Sequence, residues 1–441
     1  MTARPRHLDP LTLYNLFFPV FKGTARLISF WSTTLETFFS VRKGWALHLA
    51  NQLRSAPAAP TSFKLWVHAS SVGEFEQARP LIEALREQYP DMALYLSFLS
   101  DSGYNARKGY PGAKAVFYHP VDSRHEARHL LELIKPDMLL LMRYDFWPNH
   151  LFEARKAGVT LILAAAALPA RSSYFKPLLL GFYRQLFGLF DTIYTVSGHD
   201  TTLFQERFGC THVQTAGDPR FDQVIKRSRN IRQSQKLDKI APRFSKHVTL
   251  VAGSIWEEDE ELLLPAWMEL KERPHLILVP HKVDQPNIER LCTRLRQLSL
   301  PWQTSSTMNA AFDPEKELLV IDETGYLVEL YSIASIAYVG GGFGINVHNT
   351  LEPAVYGIPV LFGPHHHKSP EAEELVTAGG AMVMNHQEEI ARTLELLTTQ
   401  RETREKYGTA AGMFVKEKSG ATALMMATGF NDLKPKTNRR L

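Results

Sequence analysis

The sequence predicts a two-domain α/β protein in which each half is a Rossmann-like, doubly wound parallel sheet and a cleft lies between the halves. Three observations carry this. At 441 residues the chain is too long for one ordinary hydrophobic core. Short apolar runs alternate with amphipathic helical patterns along most of its length, the mark of parallel sheets with crossover helices. The alternation falls into two series, separated at residues 226–247 by a polar, poorly periodic stretch that reads as the interdomain crossing. A composition 44% hydrophobic and 22% charged is that of a globular protein, and a net charge of +4 is too mild at this size to suggest nucleic acid. The two cysteines, Cys210 and Cys292, lie far apart without metal-ligand spacing, against a disulfide framework and against a zinc site.

Residues 1–54 read as a separate N-terminal segment. Phe17, Phe18, Phe21, Phe30 and Trp31 cluster there beside Lys22 and Arg26, with Arg42 and Lys43 following. Two central cations and the breaks at Pro19 and Gly23 make a membrane-spanning helix costly. An amphipathic segment lying in an anionic membrane surface fits the pattern, and a core helix packed on the first domain is the alternative. A small linker, residues 55–60, opens the first domain, expected over 55–230. Its strands are expected at 65–67, 92–98, 138–142, 159–164 and 192–196, with a helix from Arg124 to Ile134. The second domain, expected over 231–441, has strand candidates at 248–252, 276–280, 318–321, 335–339 and 358–362. A helical pattern from about 402 to 428 closes the chain and is a candidate to cross back to the first half.

The most informative stretch runs from His68 to Tyr89. The strand ending near Val67 meets a small-residue turn, Ser70-Ser71-Val72-Gly73, and then a helix whose apolar face is Phe75, Ala78, Leu81, Ile82 and Leu85. Glu74 therefore lies at a helix start on the C-terminal edge of a sheet, where open α/β folds place ligand chemistry. Beside a positive helix end it should stay ionised, as a general base must, or it merely complements the dipole.

In the second half, Gly340–Gly344 follows the strand ending at Val339. The dinucleotide fingerprint is not met, which disfavours a nicotinamide enzyme. The glycines, Gly341 among them, let backbone approach a ligand, and the following helix start favours an anion; a plain turn with ordinary capping is the other reading. Asn349 and Glu352, three apart, should share a face, with Glu352 placed to accept ribose hydroxyls. Arg220 and Lys282 are candidate phosphate partners. The run His365–His367 tempts a metal assignment, but three adjacent histidines do not readily converge on one ion, so a solvated or ligand-facing loop is favoured.

Taken together, these motifs resemble the 3-deoxy-D-manno-octulosonic acid (Kdo) transferases of lipopolysaccharide assembly. The resemblance covers most of residues 35–425: RKGW at 42–45, HASSVGE at 68–74, FWPN at 146–149, Arg171-Ser172, GDPRFD at 217–222, AGS at 252–254, HNTLEPA at 348–354 and GPH at 363–365. It implies a GT-B glycosyltransferase with an acceptor-binding first domain and a nucleotide-sugar-binding second domain. It implies transfer of Kdo from CMP-Kdo to a lipid A precursor at the cytoplasmic face of the inner membrane, without cofactor or metal. Carried onto this chain, the base is Glu74. Donor contacts fall on Arg220, Lys282, Gly341, Asn349 and Glu352, and acceptor contacts on Ser71, Gly73, Asp145, Arg171 and Ser172. The family's common pair of glutamates before Trp-Pro is here Arg143 and Asp145, which bears on acceptor details more than on the reaction. The rival reading is another GT-B enzyme, a UDP-sugar transferase or a sugar-nucleotide epimerase.

Overall fold

The structure, a computed structural model, describes residues 10–59, 61–169, 172–229, 237–308, 316, 318–431 and 433–435. It divides into two compact units, Met1–Gln223 with Gly420–Leu441, and Val224–Ser419. Much of the polar stretch at 226–247 is helical, within Pro219–Arg229 and Leu237–Phe244.

Among the described residues the first unit holds one seven-stranded sheet. Its strands are β1 (Lys64–Ala69), β2 (Ala93–Phe98), β3 (Ala113–Tyr118), β4 (Met138–Met142), β5 (Thr160–Ala166), β6 (Thr192–Thr195) and β7 (Val213–Thr215). They pair in parallel in the order β3-β2-β1-β4-β5-β6-β7. Successive strand residues face opposite layers. Trp66, Leu139 and Leu161 pack in one apolar cluster, while Leu65, Val67, Leu140 and Ile162 pack in the other. A sheet buried on both faces explains why the central strands read as unbroken apolar runs. The expected apolar face of the helix Val72–Gln88 is fully buried in the second cluster. The last helix, Ala421–Gly429, joins that cluster through Ala421 and Met425, and Asp222 holds its start by accepting the Gly420 and Thr422 N–H groups.

The second unit repeats the plan among its described residues, with β8 (Thr249–Ile255), β9 (His275–Pro280), β10 (Trp302–Thr304), β11 (Leu318–Val320), β12 (Ile336–Val339), β13 (Val360–Phe362) and β14 (Ala381–Val383). The order is β10-β11-β9-β8-β12-β13-β14. In both sheets the order reverses beside the first strand, β1 or β8, the switch point at which such sheets hold ligands.

The N-terminal helix Pro10–Ile28 lies on the first unit. Leu11 is buried, and the Tyr14 hydroxyl donates to Asp122 at 2.8 Å. Its other face is bare: Leu16, Phe17, Val20, Phe21 and Leu27 are each more than 60% exposed, and so are Phe30 and Trp31 beyond it. Phe18 is half-buried and stacks on Tyr14. Lys22 is half-buried, and Arg26 and Lys43 are exposed. Among the described residues no helix is long and apolar enough to cross a membrane.

Arg42 departs from its expected place at a lipid surface. It is buried at 5% exposure, its guanidinium lies 3.7 Å from the Phe38 ring centre, and it donates to the carbonyls of His119, Phe38 and Leu99 at 2.9, 2.8 and 2.6 Å. A cation so engaged ties the segment to the ends of β2 and β3, and its burial withdraws it from a lipid surface. Charge-assisted hydrogen bonds contribute roughly 1.5–3 kcal/mol each, not additively. Arg42→Ala should therefore cost about 3 kcal/mol or more in chemical denaturation, while vesicle binding of the folded fraction stays unchanged.

Candidate active site

β1 runs buried to Ala69, and the turn after it opens into the helix Val72–Gln88. Ser71 caps this helix with its side-chain oxygen, which accepts the Glu74 N–H at 3.4 Å. This geometry folds Glu74 back over the turn, where its carboxylate accepts the Ser70 N–H. Glu74 is only 6% exposed. Burial pushes its carboxyl above the ordinary glutamate range; the Ser70 hydrogen bond opposes that, and the nearby Asp145 charge reinforces it. The dipole argument from sequence pointed the other way, and desolvation is the larger effect. Gly73 has open space at its Cβ position, with only Ser71 Oγ nearby at 3.9 Å, so packing does not demand a glycine there.

Asp145 follows β4, and its carboxylate lies 2.9 Å from His68 Nε2; the other ring nitrogen, Nδ1, lies 2.8 Å from Ser97 Oγ. Behind His68, His119 is packed between the rings of His68 and His150 at centroid distances of 4.4 and 4.2 Å. Burial and the two flanking imidazoles hold His119 well below its usual range, so it stays neutral. His150 is anchored at 2.8 Å to Asp122, the partner of Tyr14. This row of imidazoles links the N-terminal helix to the site, and sequence reasoning missed it. His68 and His119 stand at or just past strand ends, but His150 lies in a helix beside Asn149, so no shared local pattern marks the row.

Arg143, at the end of β4, adopts a left-handed φ of 58°, a strained conformation for a long side chain and the kind that recurs at functional sites. Its charge reaches Asp218. Asp218 is buried and accepts from Gln77 Nε2 and from Arg220 Nε, both at 2.9 Å. Burial alone would raise the Asp218 carboxyl, but Arg220's charge and hydrogen bonds, helped by Arg143, outweigh it and hold Asp218 low. Gln77 lies one turn beyond Glu74, so Asp218 ties the helix of the candidate base to Arg220. Ser172 caps a short turn by accepting the Tyr174 N–H at 3.2 Å. Arg171 lies outside the described residues.

In the second unit, the glycine turn after β12 is dictated by close backbone approach. A Cβ on Gly342 would sit 2.5 Å from Gly363 N, and one on Gly341 would sit 2.4 Å from Asn346 O at a φ of +89°. The Gly341 N–H is taken up by Asp259 Oδ2 at 2.8 Å, and Asp259 also accepts from Tyr338 and from Trp256 N. The helix expected to present a strong positive end is a single turn, Leu351–Ala354. Four aligned peptides give little dipole, so that part of the anion argument fails. Asn349 Oδ1 accepts the Leu351 N–H at 3.1 Å, and Glu352 lies 3.5 Å from Arg227. The two residues thus stand side by side, one as a cap and one beside a cation.

Trp256, His281 and His348 form a stack nearby, with centroid distances of 4.5 Å and 4.2 Å. Trp256 Nε1 donates to His348 Nε2 at 2.8 Å, and burial together with His281 pulls His348 down to about 4. Lys282 Nζ lies 5.4 Å from the centre of the Trp256 ring. The histidine run does acquire a spaced partner: ligand atoms of His366, His367 and Glu373 lie within 4.8 Å of one another on the surface. All three are at least partly exposed, and His367 is already paired with Glu373 at 2.6 Å.

Comparison with known proteins agrees with this arrangement. Residues 42–223 match the family described as 3-deoxy-D-manno-octulosonic-acid transferase (kdotransferase). The 3-deoxy-D-manno-octulosonic acid transferase of Aquifex aeolicus is 31% identical over 349 residues, covering 77% of this chain and 87% of the relative. That of Chlamydophila psittaci is 26% identical, covering 81% and 82%. Solved structures share the fold: UDP-GlcNAc 2-epimerase of Neisseria meningitidis at a TM-score of 0.56, 16% identity and coverage of 84% of this chain and 100% of that one. A glycosyltransferase of Rickettsia africae aligns at a TM-score of 0.53, 11% identity and coverage of 84% and 97%. Two parallel α/β units of the GT-B class, a buried glutamate at the first switch point, and this extent of identity lead to one conclusion: the chain belongs to the 3-deoxy-D-manno-octulosonic acid transferase family of glycosyltransferases.

Proposed function

We propose that this protein moves Kdo from CMP-Kdo to a lipid A precursor, with inversion, at the cytoplasmic face of the bacterial inner membrane. The observation that carries the mechanism is the buried, pKa-raised carboxylate of Glu74 at the C-terminal edge of β1. In this reading the acceptor's primary hydroxyl oxygen attacks the anomeric carbon of Kdo as its proton passes to Glu74. The bond from that carbon to the phosphate oxygen breaks, and CMP leaves with the electron pair. A carboxylate with a raised pKa is a better proton acceptor than an exposed one, provided it is ionised when substrate arrives. Arg220, held in orientation by Asp218, supplies positive charge for the departing phosphate. Glu352 and Asn349 are assigned to the nucleotide, Lys282 and Gly341 to the donor's surroundings, and Asp145, Ser71, Gly73, Arg171 and Ser172 to the acceptor. The bare apolar face of the helix Pro10–Ile28, beside Lys22, Arg26 and Lys43, supports attachment to an anionic membrane surface.

Purified protein given CMP-Kdo and tetra-acylated lipid A precursor should yield a Kdo-bearing product by mass spectrometry. Turnover of UDP-sugars with none of CMP-Kdo would instead favour the rival transferase or epimerase reading.

Glu74→Gln should lower turnover by on the order of 10²–10⁴. It should also make the protein more stable at neutral pH. A glutamate whose folded pKa is raised favours folding only while protonated, and that contribution is lost as pH rises through the folded value. Removing the ionisable group removes the cost at neutral pH, so melting curves near pH 7 should shift upward and lose part of their pH dependence. Near-normal turnover, or an unchanged melting profile, counts against Glu74 as a buried base.

For the donor, Glu352→Ala should weaken CMP binding in isothermal titration, and unchanged affinity would move the nucleotide elsewhere. Deleting residues 1–33 should reduce co-sedimentation with anionic vesicles, most visibly at low salt. Equal binding by the truncated protein would make the segment core structure only.

A further inference from the structure

An apolar groove of about 600 Å³ opens in the first unit between the N-terminal helix Pro10–Ile28 and the helix Pro177–Phe187. Leu13 and Phe17 come from the first helix, Leu179 and Phe182 from the second, and Phe146 with Trp147 from the loop after β4. Among the described residues the only charged lining group is Asp145, the carboxylate paired with His68. The groove therefore shares Asp145 with the candidate acceptor site, and apart from that carboxylate and the hydroxyls of Tyr14, Tyr144, Tyr174 and Tyr183 its lining is apolar. Phe17 and Leu178, also in the lining, are 66% and 96% exposed, and Phe17 shares its helix with the exposed row Leu16, Val20 and Phe21. The volume is within the roughly 300–1,000 Å³ range of sites that enclose small apolar ligands.

We propose that this groove binds one acyl chain of the lipid acceptor, with Asp145 marking the end where the chain meets the sugar headgroup. The proposal rests on the reading of the protein as a transferase acting on an acylated acceptor, and it assigns the N-terminal helix a part in substrate selection beyond membrane attachment. Exposed apolar surface lining a concave site costs free energy until something covers it, and a chain reaching from the bilayer to Asp145 does so without leaving an apolar environment. Each buried methylene is worth roughly fourfold in affinity.

Gly181 lines the groove and offers a clean test, because a Cβ added there has nothing within 4 Å. Full-length wild-type protein and Gly181→Phe should be compared on acceptors of increasing acyl length, with a deacylated acceptor as reference. Wild type should gain kcat/KM with chain length, whereas Gly181→Phe should lose tenfold or more on the longest chain and little on the deacylated acceptor. In parallel, a brominated twelve-carbon fatty acid should quench the fluorescence component that Trp147→Phe removes, and Gly181→Phe should abolish that quenching. Quenching without any transfer from CMP-Kdo would keep the groove and overturn the transferase reading. Transfer that ignores chain length, or quenching untouched by Gly181→Phe, would overturn the groove. So would a concentration-dependent dimer lost in Gly181→Phe, which would assign the surface to a second copy.

Discussion

A glutamate carboxylate is held out of water at the end of β1, and the first unit is organised around that constraint. A buried carboxylate is costly when ionised, and one main-chain hydrogen bond from Ser70 offsets only part of the cost. Asp145, which reinforces the upward shift of Glu74, is itself paired with His68. Arg220 is bound to Asp218. Asp218 in turn is fastened by Gln77 to the helix that carries Glu74. In the proposed mechanism the acid–base and leaving-group functions therefore fall on separate side chains with different electrostatic environments.

The second unit solves a different problem with the same fold. Its glycine turn is closed by backbone packing and by Asp259, whose carboxylate is fully buried and accepts three hydrogen bonds. The N–H groups of Gly340, Gly341 and Gly344 are thereby taken up within the protein. The Trp256–His281–His348 stack adds flat, neutral surface beside it, as suits a nucleotide better than a bare phosphate.

The central strands and the helix Arg124–Ile134 were legible from the sequence, and so was the position of Glu74. The strands that escaped were β3, β7, β10 and β14, and these are the four sheet edges. An edge strand is covered on fewer sides, and three of these are only three residues long, too short to show a period, whereas β3 does carry an apolar run at 115–118 and escaped nonetheless. Site chemistry was less legible wherever it depended on desolvation. Arg42 has the sequence context of a membrane cation, yet it is buried against two distant carbonyls, of Leu99 and His119, and the nearby one of Phe38. For Glu74 the place at the helix start was legible, whereas the burial that raises its carboxyl was not, since it depends on packing beyond the local helix. The imidazole row from His68 to His150 and the groove beside Asp145 join segments more than 80 residues apart, and no local pattern announces them.

The central claim is that Glu74 is a desolvated base, and its titration can be read directly. Infrared difference spectra of the full-length protein, wild type minus Glu74→Gln, isolate one carboxyl band that can be followed with pH. The account predicts that this carboxyl titrates clearly above the roughly 4.3 of an ordinary glutamate. Titration at or below that value would show a solvated or dipole-stabilised carboxylate and would contradict it.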